Sequence, residues 1–148
     1  MEIERHPRRK DATDLELALN RAAGRKSDQV VLLAALGGRW DMSFGNILTA
    51  AAQAYRHIRL VLLASDCTIH ILHPGAPYPV HGQIGDQVSL LALHGDVEGL
   101  SLEGLEYPLA NATLTAGSSR AMSNVLQSSA ATISLTQGVL LCLHLHGG

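Results

Sequence analysis

Seven consecutive apolar residues, Val30 to Leu36, run into two glycines, and this junction limits the fold more than any other stretch. The run, read as a strand over Gln29–Leu36, does not alternate apolar with polar positions. It therefore suits a parallel strand covered on both faces. It stops at Leu36-Gly37-Gly38-Arg39-Trp40-Asp41 and leads into Met42-Ser43-Phe44-Gly45-Asn46-Ile47, a helical pattern. A buried strand followed by a glycine turn and a helix N-terminus is where open α/β sheets place their ligands. Glycine lets backbone approach a ligand, arginine matches phosphate geometry, and aspartate can hold a hard cation. The plain alternative is an ordinary strand-to-helix turn, with Asp41 or Ser43 as N-cap and Arg39 solvated.

The surrounding pattern extends this reading. Met1–Arg5 reads as a short edge strand, and His6-Pro7 opposes helix at His6. Leu15, Ala18, Leu19, Ala22 and Ala23 recur at helical spacing, Thr13 and Glu16 have capping-box spacing, and Gly24 is a natural stop. A helix is expected from about Asp14 to Ala23. Ser43 to about Tyr55 reads as a second helix, with Ile47, Ala50, Ala51 and Ala54 as its stripe, and Ile58–Ala64 as a second buried strand. The order α-β-α-β is half of a doubly wound sheet, beginning in its middle. Two strands and two helices make a meagre core, so further strands are expected upstream.

Beyond Ser65-Asp66 the pattern changes. Thr68–Leu72 partly alternates, and Pro74, Gly75, Pro77 and Pro79 then break the chain. No helix pattern follows. Val88–Leu93, Leu100–Glu103, Ala112–Leu114, Thr132–Leu135 and Val139–Leu145 read as strands, punctuated by glycines at the intervals of antiparallel sandwiches or barrels. The expected fold class is thus a partial, truncated α/β parallel-sheet domain over residues 1–68, followed by an all-β sandwich domain over 69–148.

Composition narrows the function classes. With 16% charged residues and a net charge of −2, no broad basic surface points to nucleic acid. The one basic cluster, Arg5, Arg8, Arg9 and Lys10, reads either as a solvated leader or as a phosphate-facing loop. The apolar runs are too short to span a bilayer and the N-terminus has no signal-peptide core, so no membrane partner is expected. Cys67 and Cys142 lack metal spacing and read as reduced core residues of a cytoplasmic protein.

Three further groups carry chemistry. Lys10-Asp11-Ala12-Thr13-Asp14 puts carboxylates and a lysine at a helix N-terminus, where a carboxylate can hold Mg²⁺ while amides face phosphate, although capping alone also accounts for it. Two such termini at the same sheet edge suggest a metal–nucleotide site, without a Walker loop or a dinucleotide fingerprint. His144 and His146 share one face of a strand and can hold a metal, with His70, His73, His81 or His94 as third ligand. Leu141, Leu143 and Leu145 on the other face make an outward-facing histidine pair the simpler expectation. Thr115–Asn124 is a hydroxyl-rich loop that reads either as a sharp turn or as a source of donors for a small polar ligand.

In order along the chain, several stretches together resemble the thiamine pyrophosphokinase family. They are Lys10-Asp11-x-Thr13-Asp14-Leu15, Gly37-Gly38-Arg39-x-Asp41 with Asn46-Ile47, Gly85-Asp86-Gln87-Val88-Ser89-Leu90, Gly104-Leu105-x-Tyr107-Pro108-Leu109, and Gly117-Ser118-Ser119 with Ser123-Asn124. The resemblance implies transfer of a diphosphate from ATP to thiamine, giving thiamine diphosphate and AMP, with Mg²⁺ as cofactor. It implies that Asp14 contributes to the Mg²⁺–ATP site beside Lys10, Asp11 and Thr13. Gly38 and Arg39 would face the phosphates, and Arg39 and Asp41 the transfer centre. Ser123 and Asn124, with Ser118 and Arg120 in the same loop, would hold thiamine. A cytoplasmic homodimer with thiamine near the subunit interface is implied too.

Three departures stand out against that pattern. The family's upstream Gly-Asp-x-Asp-Ser is absent, Met42 stands where histidine is common after Arg-x-Asp, and Val125 replaces an acidic residue. The alternative expectation is therefore a non-catalytic thiamine-binding or dimerisation module built from the β region. The chain would then be a fragment, the product of a misassigned start, or a degenerate copy. Its unpaired sheet edge is expected to promote association.

Overall fold

A computed structural model describes residues 11–146. The Met1–Arg5 strand, the His6-Pro7 break and the Arg5–Lys10 basic cluster lie outside the described residues. The first helix, α1 (Asp14–Gly24), begins at Thr13, whose hydroxyl accepts from the Glu16 amide at 3.2 Å, as the capping spacing predicts. Then follow β1 (Gln29–Leu33), α2 (Trp40–Ala50), a 3₁₀ turn (Gln53–Tyr55) and β2 (Arg59–Leu63). All later elements are strands: β3 (Cys67–Leu72), β4 (Tyr78–His81), β5 (Gln87–Glu103), β6 (Leu109–Leu114), β7 (Asn124–Val125), β8 (Ala130–Ser134) and β9 (Gln137–Leu145).

The strands form one curled sheet in the order β1-β2-β3-β9-β5-β8-β4, with β6 and β7 also paired to β5. Among the described residues only β1 and β2 run parallel; every other ladder is antiparallel. The two-stranded parallel unit is thus not left alone, because β3 and β9 continue its sheet. Side chains on a strand alternate between faces, so β3, β5 and β9 each serve two cores. Leu62, Ile69, Ile71, Val139 and Leu141 pack with Leu19 of α1, Ala50 of α2 and Ala51 just beyond it. Leu90, Leu140 and Cys142, on the opposite face, pack with Val80, Leu102, Leu114 and Ile133.

Several expected boundaries shift for identifiable reasons. The strand expected over Gln29–Leu36 ends at Leu33 and is covered on one face only. Val30 and Leu32 pack toward the helices, whereas Val31 and Leu33 are 49% and 70% exposed. Helix α2 begins at Trp40 rather than Ser43, with Arg39 in extended conformation as its N-cap, and it stops at Ala50 before the 3₁₀ turn. The strands expected over Val88–Leu93 and Leu100–Glu103 are two halves of β5. His94 and Gly95, both at positive φ, bend it, so the first half pairs β9 and the second pairs β6 and β8. The proline-rich stretch contains β4, which pairs β8 alone, so the missing amide of Pro79 interrupts no inner ladder.

Both cysteines are free. Cys67 contacts the helix-side core and Cys142 lies in the other, so their side chains leave the sheet in opposite directions. Burial pushes the Cys142 thiol up to about 12, which keeps it protonated. No helix among the described residues is long and apolar enough to cross a membrane.

Candidate active site

The loop between β1 and α2 is shaped by two side chains of the helix it precedes. The Ser43 hydroxyl accepts from the Gly37 amide at 2.9 Å and lies 3.2 Å from the Gly37 carbonyl, while the Asn46 amide donates to the Ala35 carbonyl at 2.7 Å. Ser43 is buried and spent on this clamp, so it is not the N-cap. The loop is therefore held at both ends while Gly38, Arg39 and Asp41 stay exposed. Arg39 donates to Asp41 through Nε at 3.1 Å and through its terminal nitrogen at 2.5 Å. This hydrogen-bonded pairing raises Arg39 above its ordinary value and holds Asp41 below the usual carboxylate range, so both are charged.

Beside this loop lies a groove of about 710 Å³, lined by Leu36, Gly37, Trp40 and Phe44 on one side and by Ala64, Asp66 and Cys67 on the other. Trp40 is 85% exposed at its mouth. Asp11 and Asp14 are exposed where α1 begins. Lys10 lies outside the described residues.

The second group of predicted residues sits elsewhere. Ser123, at positive φ, donates its amide to the buried Ser89 hydroxyl at 2.9 Å, which pins the turn to β5. Asn124 is 2% exposed. Its side-chain oxygen accepts from the Tyr107 and Val125 amides at 2.9 and 3.0 Å, and its nitrogen donates to the Tyr107 carbonyl at 2.9 Å. Asn124 therefore joins this turn to the Glu106–Pro108 segment. Ser118 accepts from the Arg120 amide at 3.2 Å. Arg120 and Asn124 line a cavity of about 370 Å³ together with Glu106, Tyr107 and Leu109. Tyr107, 63% exposed at this cavity, was not among the predicted site residues, although Gly104-Leu105-x-Tyr107-Pro108 signals a turn at this place. Arg39 and Asp41 come together, as do Ser118 with Arg120 and Ser123 with Asn124; Arg120 and Asn124 line the second cavity, whereas the groove beside the Arg39 loop is lined by Gly37 and Trp40 rather than by Arg39 or Asp41.

The histidine expectation is corrected. His144 does not face outward: it is 4% exposed and meets Asp86 at 2.7 Å. Its face of β9 is an inner one because the second core lies there. Among the expected third partners, His70 instead pairs with the Tyr78 hydroxyl at 3.0 Å, and His81 and His94 are exposed.

Comparison with known proteins places this architecture. Residues 1–62 match the family model described as thiamin pyrophosphokinase, catalytic domain, and residues 67–140 match thiamin pyrophosphokinase, vitamin B1 binding domain. The chain is 31% identical over 134 residues to thiamine pyrophosphokinase of Bacillus subtilis, covering 90% of this chain and 63% of that protein. The crystal structure of the Bacillus subtilis thiamine pyrophosphokinase superposes with a TM-score of 0.85 at 30% identity, over 95% of this chain and 66% of that one. That of Geobacillus thermodenitrificans does so with a TM-score of 0.82 at 29% identity, over 96% of this chain and 65% of that one. The chain thus spans less than two thirds of the length of the curated relative. Two consecutive family matches, in the order in which the two site groups occur, identify it as a member of the thiamine pyrophosphokinase family.

Proposed function

We propose that this chain transfers a diphosphate from ATP to the hydroxyethyl group of thiamine, yielding thiamine diphosphate and AMP. The observation that carries the reading is the sequence of a catalytic-domain match and a vitamin B1 binding match, each containing one of the two candidate groups. In this reading residues 1–68 form the later part of an α/β catalytic domain, and residues 69–148 a thiamine-binding β-sandwich.

The thiamine hydroxyl attacks the β-phosphorus, the bond to the α-phosphate oxygen breaks, and the hydroxyl proton leaves to solvent. Such a transfer is limited by charge neutralisation and in-line alignment rather than by covalent chemistry of the protein. Arg39 faces the phosphates from a clamped loop, with Gly38 leaving backbone approach open. Asp41, held ionised by Arg39, is a poor base and acts by orienting the guanidinium. Asp14 and Asp11, with Thr13 and Lys10 beside them, provide exposed carboxylates. These suit a cation that keeps most of its water and is held largely through substrate phosphates. Mg²⁺ held there would neutralise phosphate charge. Ser118, Arg120, Ser123 and Asn124 form the thiamine side. The reading carries with it a cytoplasmic homodimer in which thiamine lies near the subunit interface, an expectation that rests on the family resemblance.

The test is incubation with Mg²⁺, ATP and thiamine, with separation of nucleotides and thiamine esters. Equal amounts of AMP and thiamine diphosphate are expected, with Arg39→Ala lowering turnover about 100-fold or more. Thiamine binding without AMP formation would reduce the role to a binding and dimerisation module.

A further inference from the structure

We propose that Asp86, His144 and His146 form a binding site for a first-row divalent transition-metal ion, foremost Zn²⁺, separate from the Mg²⁺–ATP site. One ligand atom from each residue lies within 4.8 Å of those of the other two. Two of the three side chains are more than nine-tenths buried, and the third, His146, closes the group from the exposed end of β9.

The donors come from separate segments that the sheet holds in register. His144 stands opposite Thr68 of β3 on one side and opposite Val88 of β5 on the other. Asp86 occupies the turn that leads into β5. Two of the three ligands are oriented by a further contact, as metal ligands commonly are. The Gln83 amide donates to the Asp86 carboxylate at 2.9 Å, and the Thr68 hydroxyl meets His146 Nε2 at 2.8 Å. The two imidazoles lie edge to face with centroids 4.7 Å apart. Gly82 passes directly over the pair: a Cβ there would lie 2.6 Å from His144 Nε2 and 2.7 Å from Asp86 Oδ2. A side chain at this position would fill the cradle.

A hydrogen-bonded histidine–aspartate pair alone would need one imidazole. A second imidazole, fixed by its own hydroxyl partner, completes a donor set of two histidines and one carboxylate. Imidazole favours zinc, copper, iron or nickel over magnesium or calcium. Tetrahedral zinc with bonds of about 2 Å needs donors roughly 3.4 Å apart, so the widest pair, within 4.8 Å, must close, while His144 Nε2 and Asp86 Oδ2, 2.7 Å apart, must open and give up their hydrogen bond to the ion. His146 lies beyond the last paired residue of β9, its amide bonded to the Asp66 carbonyl at 3.0 Å, so the movement falls to rotation of its exposed side chain. Three protein ligands leave a fourth position to water. The ion would staple β9 to the turn before β5, in the row that continues from Val88 to Asn124.

The experiment uses the full chain stripped with a chelator, titrated with Zn²⁺ by calorimetry and with Co²⁺ by visible absorption. One equivalent per chain and a raised thermal midpoint are expected. His146→Asn, at an exposed site and checked by circular dichroism, should weaken Zn²⁺ binding by about tenfold or more. His57→Asn and His94→Asn, also exposed, should leave it unchanged. Absence of saturable uptake by the unaltered chain, equal affinity in His146→Asn, or an equal loss in the His57 and His94 variants would overturn the proposal. None of these readouts depends on ATP or thiamine turnover.

Discussion

Asn124, 2% exposed, ties two turns of the β region together. Its polar atoms are consumed by the backbone of Tyr107 and Val125, so its first task is to build the turn. Asn124→Ala leaves buried amides unpaired and should lower unfolding free energy by about 2–4 kcal/mol, measured by denaturant titration. It should also abolish thiamine binding in calorimetry, and retained stability would show the turn to be self-supporting. His70 carries a pH dependence of definite sign. Burial, and then the positive potential of His144, Arg59 and His146, lower it from 6.5 to about 4. The unfolded chain takes up this proton below about 6.5, the native chain only near 4, so its contribution is intact above 6.5 and is lost as pH falls between the two. The loss should approach about 2–3 kcal/mol. His70→Asn should therefore show a shallower decline of stability over that interval in metal-free buffer, and equal slopes would refute the assignment.

Helix α2 and strand β1 together form the edge on which the proposed chemistry rests. Ser43→Ala removes both contacts to Gly37 and should cost about 1 kcal/mol while raising the apparent KM for ATP. An unchanged KM would mean that the loop keeps its shape without the clamp. Strand β1 pairs with β2 on one side, and among the described residues no strand pairs with its other side. With Val31 and Leu33 exposed on its uncovered face, the chain should self-associate in size-exclusion chromatography at rising concentration. Replacing both by lysine should reduce that association without altering the circular dichroism spectrum, whereas a stable monomer of the unaltered chain would contradict it. Strand β5 was legible as two strands because its apolar pattern is interrupted at His94-Gly95. Continuity through a bend depends on partners from β9, β6 and β8, which no local pattern encodes.

For the molecule as a whole, the decisive feature is that β3, β5 and β9 carry one core on each face. Neither core can lose these strands without damaging the other, so unfolding should be a single transition. Leu62→Ala and Leu102→Ala, one in each core, should each destabilise by about 2–5 kcal/mol and shift the same transition, with helix and strand signals coincident. An earlier, separate loss of helix would disprove this coupling. Much of the plan was readable beforehand: the α1 cap at Thr13, the two helices, most strands and the Gly-Gly turn after β1 follow from local periodicity, capping and glycine placement, whereas the turn at Ser123-Asn124 was singled out by the family resemblance and the Ser43 clamp by nothing local. Such local properties depend on residues a few positions apart, and one chain segment contains the information. What tertiary structure alone decided is pairing over distance. It covered β1 on one face, joined the parallel pair to the antiparallel strands, turned His144 inward, and set Asp86 beside it across a separation of 58 residues. Local sequence names the donors; only the sheet register decides which of them meet.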